Sequence, residues 1–250
     1  MKRLLLLCAL AAPLAAAPVA PPPARHTIVL VHGAWGGAFA WKEVDRLLTA
    51  DGNTVYRPEL TGQGERVNLA RPDIGLSIHI QDVVNVILWE DLHDVVLVGH
   101  SYGGMVITGV ADRIPDRIQR LIYLDAFLPE NGESANTAFG RLRQARPKAV
   151  EGYYPPTWVK PGTPIPHDVP MPAKTFEEPI VLANQAAARR IPSDYVMFLP
   201  NGTPLEKGVF YRFYQRAQAR GWPVATLESD HNAHLSHPKQ EAALIEKLAE

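Results

Sequence analysis

The stretch that most constrains this chain runs from Val95 to Gly104, Val-Val-Leu-Val-Gly-His-Ser-Tyr-Gly-Gly. Four consecutive apolar residues, three of them β-branched, have the length and composition of a strand buried on both faces. The run stops at Gly99, and from Met105 to Val110 the residues suit a helix. Between them, Gly99-His100-Ser101-Tyr102-Gly103 spells G-x-S-x-G, the pattern of a serine on a tight strand-to-helix turn. Such a turn strains the serine backbone and lifts its hydroxyl above the end of the sheet. The residues two places to either side must then lack a Cβ. The N–H of Tyr102, at the start of the helix, is left free to stabilise an oxyanion. The pattern is short, and a plain glycine-rich turn can carry it by chance. Its weight comes from the strand before, the helix after, and complementary groups elsewhere in the chain.

Thr27 to Val31 reads as the first strand and runs into His32-Gly33-Ala34-Trp35-Gly36-Gly37. A glycine-rich turn after a buried strand lets backbone N–H groups point into a site at the carboxyl edge of the sheet. The N–H of Ala34 is the natural second oxyanion donor. These glycines do not fit G-x-G-x-x-G, which removes a dinucleotide loop. A helix is expected over Phe39 to Leu48, a short strand over Thr54 to Tyr56, a polar loop from Pro58 to Arg71, and a helix over Ser77 to Trp89. Ile118 to Leu124 is the next strand and ends at Asp125. Asp194 to Leu199 and Val224 to Leu227 are further strands, with helices over Leu205 to Arg220 and Lys239 to Glu250. Alternation of this kind predicts an α/β fold, a mostly parallel sheet of about six strands flanked by helices.

The pattern breaks from 129 to 190. Eight prolines lie between Pro147 and Pro172, with Tyr153, Tyr154, Trp158 and Met171 among them. No long regular element survives that density of proline. The stretch is too aromatic for a passive linker, so it reads as a cap inserted between two parts of a core, 21–128 and 191–250.

At 250 residues the chain allows one large domain with an insertion, and its formal net charge of -1 comes without a basic block. Nucleic acid and anionic membrane surfaces are poor partners for it. Lys2 and Arg3, the apolar run Leu4 to Ala12, and Ala15-Ala16-Ala17 have the form of a signal peptide, 1–20, cleaved near Ala17 or Ala20. The run is too short to span a bilayer, so no stable membrane anchor is expected after cleavage, and the product is expected to be exported, periplasmic or secreted. Cys8, the single cysteine, lies within the leader, which leaves no disulfide and no thiol nucleophile.

A serine nucleophile needs a base, and the base an orienting acid. Chain order places the histidine in the loop after the last strand, where His231 stands. His234 and His237 lie nearer the closing helix and are expected to cap it or face solvent. His32 and His100 flank the oxyanion donors. The histidines have neither cysteine partners nor H-E-x-x-H spacing, so no zinc or other metal site is expected.

With these residues in view, the chain resembles the α/β-hydrolase superfamily. Within it, the resemblance is to the small esterase and hydroxynitrile-lyase branch that includes plant methylesterases and bacterial relatives. It is carried by His32-Gly33-Ala34-Trp35, Gly99 to Gly104, and Asp230-His231 with Leu235-Ser236-His237-Pro238. It implies ester hydrolysis through an acyl-enzyme, without a cofactor. Lyases of the branch carry an acidic residue before the nucleophile and a lysine just after the base. Here those places hold His100 and Asn232-Ala233, which speaks against lyase chemistry. The branch usually draws its acid from just after the penultimate strand, where this chain has Asn201. Asp125 is the better candidate, because superfamily members such as zearalenone-type lactone hydrolases take their acid from the end of the strand after the elbow. Glu206 and Asp194 are weaker alternatives. Trp35, Phe127, Trp158 and Tyr102 are candidates for an apolar substrate wall, and each also suits ordinary core packing. The expected activity is a carboxylesterase acting on a small, largely apolar ester, as monomer or homodimer. Lactone or carbon–carbon bond hydrolysis would use the same residues, and a non-catalytic binding protein would share the fold.

Overall fold

In the computed structural model, which describes residues 25–140 and 148–250, five strands carry the chain's main runs of β-branched and aromatic residues and a sixth, short one lies at an edge. In chain order the elements are β1 (Thr27–Val31), α1 (Lys42–Ala50), β2 (Thr54–Tyr56), α2 (Leu76–Trp89), β3 (Val95–His100), α3 (Gly103–Arg113) and β4 (Ile118–Leu124). The segment that follows holds only short pieces: α4 (Ala135–Ala138), β5 (Tyr153–Tyr154), β6 (Met171–Pro172), α5 (Lys174–Glu177) and α6 (Gln185–Ala188). The chain closes with β7 (Ser193–Leu199), α7 (Tyr211–Ala219), β8 (Val224–Glu228), α8 (Ala233–Ser236) and α9 (Pro238–Ala249). The signal peptide expected at 1–20 lies outside the described residues. Among the described residues no helix is long and apolar enough to cross a membrane.

The sheet order is β2-β1-β3-β4-β7-β8, and every pairing is parallel. Strand alternation divides its side chains between two cores. Ile28, Leu30, Val96, Val98, Ile122 and Leu124 face α1 and α9 through Val44, Leu48 and Ile245. Val29, Val31, Leu97, Leu121, Tyr123 and Met197 face α2, α3 and α7 through Ile80, Val83, Val106, Val110 and Phe213. Burial of both faces is why these strands read as continuous apolar runs.

Two expected helices are reshaped. The one expected over Leu205 to Arg220 is a single turn at Leu205–Lys207 followed by α7. A break falls at Gly208, where a Cβ would stand 2.8 Å from the Met197 sulfur. The chain bends there and turns Gly208, Val209 and Phe210 toward the end of the sheet. The helix expected over Phe39 to Leu48 begins with a tight turn at Ala38–Trp41 before α1.

Chain direction sets the position of the site. From β1 the chain moves outward to β2, then returns to the other side of β1 as β3. Loops leaving the carboxyl ends of β1 and β3 therefore diverge, and a crevice opens between them. His32 to Gly37 leaves one strand and Ser101 leaves the other.

Candidate active site

Ser101 sits at φ +53, in the left-handed region, between β3 and α3. The glycines around it are there for contact. A Cβ on Gly99 would lie 2.8 Å from the Gly103 carbonyl oxygen, and one on Gly103 would lie 2.6 Å from that of Val31. One on Gly104 would overlap the Phe127 carbonyl. Side chains at these places would push α3 off the sheet and open the turn.

His231 reaches the serine from the loop after β8. Its Nε2 is 2.9 Å from Ser101 Oγ, and its Nδ1 is 2.6 Å from Asp125 Oδ2. A carboxylate accepts, so Nδ1 carries the proton and Nε2 is left to accept from the serine hydroxyl. Asp125 lies at φ +43 at the end of β4, and its other oxygen accepts the Phe198 N–H at 3.2 Å. The carboxylate is buried while the imidazole is 41% exposed. Phe210 stacks on the His231 ring at 5.2 Å and 9°.

His100 holds the same loop from behind. Its Nε2–H donates to the His231 carbonyl at 2.7 Å, and its ring lies 4.6 Å from those of His231 and His234. Burial, followed by the charges of His231 and His234, holds its pKa well below the usual histidine range, so it serves as a neutral donor. His234 departs from the expectation of a cap or a solvent-facing ring. It is buried against Trp41 at 4.9 Å, and burial pushes it down to about 3. His237 is exposed at the N-terminus of α9, with Nδ1 3.0 Å from Ser229 Oγ.

The two expected oxyanion donors face the same space. Ala34 and Tyr102 both line the cavity beside Ser101, and among the described residues neither amide is spent on a turn or loop hydrogen bond. The Tyr102 side chain is anchored by its hydroxyl. His79 Nε2–H donates to the Thr61 carbonyl at 3.0 Å, leaving Nδ1 to accept the Tyr102 hydroxyl at 3.1 Å. Burial keeps His79 neutral, down to about 3, and raises the Tyr102 hydroxyl well above its ordinary value.

The cavity has a volume of about 510 Å³. Trp35 and Phe127 line it, together with Phe139, Phe176, Phe198 and Phe210. Trp158 does not. It is 53% exposed, packs edge-on against the outer face of Trp35 at 5.1 Å, and donates its indole N–H to Asp168. Phe139 and Phe176 come from the segment between β4 and β7, and only a fold that returns that segment over the sheet end could reveal them. Trp35, at φ +63, is clamped by the same segment: its indole donates to the Tyr154 carbonyl at 2.8 Å, and its own carbonyl accepts the Val169 N–H at 2.8 Å.

Asn201, at the position where the resembling branch has its acid, is exposed on the turn after β7. Asp194 lies at the opposite end of that strand and is bound to Arg120 at 2.6 Å, and Glu206 is exposed. Among the described residues, no group of three or more His, Cys, Asp or Glu side chains could hold a metal ion.

Residues 28–244 match the Alpha/beta hydrolase family. The chain belongs to that family. It is 36% identical over 246 residues to a carbendazim hydrolyzing esterase of Nocardioides sp. (strain SG-4G), covering 88% of this chain and 97% of the relative. It is 34% identical over 112 residues to methylesterase 2 of Arabidopsis thaliana, covering 44% of this chain and 43% of that protein. Among solved structures it is similar to an extracellular α/β-hydrolase from a Paenibacillus species that shares homology with tobacco salicylic acid binding protein 2. There the TM-score is 0.70 at 26% identity, with 90% of this chain and 99% of that chain covered. This α/β-hydrolase family member is accordingly a hydrolase whose curated relatives include esterases.

Proposed function

We propose that this hydrolase cleaves carboxylic esters of small, largely apolar substrates through an acyl-enzyme on Ser101. The observation that carries the reading is the unbroken hydrogen-bond chain from Ser101 Oγ through His231 to Asp125, at 2.9 and 2.6 Å, opening onto an aromatic cavity. His231 Nε2 takes the hydroxyl proton as Oγ attacks the carbonyl carbon. Asp125 steadies the imidazolium that forms, and the same proton goes to the departing alkoxide. The N–H groups of Ala34 and Tyr102 receive the charge on the carbonyl oxygen, each such donor contributing about 3 kcal/mol. Water, deprotonated by His231, then releases the acid.

The names borne by the relatives, carbendazim hydrolyzing esterase and methylesterase, support a substrate with a small alcohol leaving group. The rings lining the cavity favour a planar or apolar acyl part. The leader pattern at 1–20 and the extracellular Paenibacillus relative support export. Mass spectrometry of the secreted protein is expected to find its N-terminus just after Ala17 or Ala20, and a retained Met1 would refute export by this route. The activity is tested with a short-chain p-nitrophenyl ester. Wild type is expected to turn it over and Ser101→Ala to fall by about 10⁴-fold or more. Equal turnover by both proteins would place the activity elsewhere.

A further inference from the structure

Resting on the esterase reading, we propose that Glu59 and His32 form a buried positioning pair that aims and polarises the Ala34 oxyanion donor. The Gly33 carbonyl and the Ala34 N–H are the two ends of one peptide group, so whatever grips the first orients the second. His32 Nδ1 lies 2.8 Å from the Gly33 carbonyl oxygen. A carbonyl only accepts, so Nδ1 carries a proton and donates it. A donor at the oxygen draws electron density from the amide and makes its N–H a stronger donor at the opposite end.

Glu59 stands behind the imidazole. Its Oε1 is 3.0 Å from His32 Nε2, and both side chains are almost wholly buried, at 4% and 1% exposure. Nε2 accepts the Leu60 N–H at 3.3 Å, so the carboxylate packs beside a ring that is gripped at both nitrogens. The ring is thereby fixed with its Nδ1–H on the Gly33 carbonyl, and the buried carboxylate stands on its opposite side. The carboxylate also fixes the far end of the loop, since both oxygens accept the Ala38 N–H at 3.1 Å. The loop is shaped around this group. A Cβ on Gly37 would stand 3.0 Å from both Glu59 oxygens, and one on Gly64 would overlap the carboxylate. The stretch carrying the oxyanion donor is thus pinned at Gly33 through His32 and at Ala38 directly, by one buried acid.

The pair touches neither substrate nor the reacting atoms, so its effect belongs to the charged tetrahedral state and not to ground-state binding. A boronic acid reports on that state: an Oγ–B bond forms, no bond to boron breaks, the serine proton passes to His231, and an anionic adduct fills the oxyanion site. The experiment compares wild type with Glu59→Gln, which keeps the size and an acceptor for Ala38 but removes the negative charge beside the imidazole. Readouts are kcat and KM on a p-nitrophenyl ester, the Kd of phenylboronic acid, the Tm, and stoichiometric labelling of Ser101 by an organophosphonate. The expected result is a fall in kcat of about tenfold, part of the 10²–10³ that loss of a whole donor costs. Phenylboronic acid affinity should fall by the same factor, with KM within about twofold of wild type. Glu59→Asp, which restores the carboxylate, should recover part of both, and it supplies the same comparison should Glu59→Gln fail to fold. Unchanged kcat and boronate affinity in a protein whose Ser101 is labelled would overturn the proposal, as would a loss confined to KM or to Tm. A wild type that is not labelled at Ser101 would instead overturn the esterase reading on which it rests.

Discussion

Asp125 joins the end of β4 to the loop that carries His231. Three hydrogen bonds hold it: its N–H donates to the Val196 carbonyl at 2.7 Å, one oxygen accepts from Phe198, and the other accepts from His231. Its left-handed backbone has no glycine to ease it, and such strain persists only where surrounding bonds overdetermine it. Asp125→Asn keeps shape but can present an amide to Nδ1, which reverses the tautomer and removes the base from the serine. Ester hydrolysis is expected to fall about 10⁴-fold in kcat, with Tm changed little. Asn201→Ala, altering an exposed turn, should leave kcat within about twofold, and a loss comparable to that of Asp125→Asn would return the acid's role to the β7 turn. Ser101 and His231 were legible in the chain, because a glycine-flanked serine and a histidine after the last strand are local patterns. Asp125 was legible only as one of several carboxylates. Which of them reaches Nδ1 depends on where β4 ends relative to the last loop, a distance across the fold.

At the scale of elements, α3 starts almost in contact with the end of β1. Gly103 lies under the Val31 and His32 carbonyls, where a Cβ would stand 2.6 and 3.0 Å away. The turn at Ser101 and the loop after β1 are therefore pressed against each other, and moving one moves the other. Gly103→Ala is expected to cost about 1–3 kcal/mol of stability by overpacking. Activity should fall further than the folded fraction does, measured as ester turnover beside a thermal melt. A variant that melts lower yet keeps full kcat would show that the two loops move independently. The strands and their order of appearance followed from apolar runs, since a strand buried on both faces announces itself. The break at Gly208 did not, because it arises from contact with Met197 on another strand. The placement of Trp158 likewise depended on how the proline-rich segment folds back, and no local periodicity records that.

Across the whole molecule, buried titratable groups set the response to acid. His79 and His234 are each pushed down to about 3 by burial, so between pH ~6.5 and ~3 the unfolded chain binds protons there that the folded chain refuses. Their stability contribution is present above the unfolded value and is lost as pH falls through that window, with a slope of up to ~1.4 kcal/mol per pH unit for each ring. His100 acts in the same direction. Glu241, raised well above its ordinary value by burial and by Asp230, acts oppositely, keeping a proton that the unfolded chain gives up as pH rises past ~4.5. Stability is expected to fall from about pH 6.5 toward 4, and chemical denaturation across that range measures it. His234→Phe should flatten the acid limb, whereas an unchanged slope would show that His234 is not part of it.

What the amino-acid order determined by itself is whatever depends on neighbours along the chain. The alternation of strand and helix, the sharp turn at Ser101, the glycine-rich turn after β1 and the loop that carries His231 all follow from spacing and side-chain size. What only the tertiary structure decided is whatever depends on groups brought together from distant parts of the chain. It set Asp125, and not Asn201, Glu206 or Asp194, against His231, buried His234, drew Phe176 into the cavity and left Trp158 outside. It also set Glu59 behind His32, a pairing across 27 positions that neither residue announces. Hydrogen bonds and ring contacts act over a few ångströms, and only packing of the sheet against its covering segments determines which residues come that close.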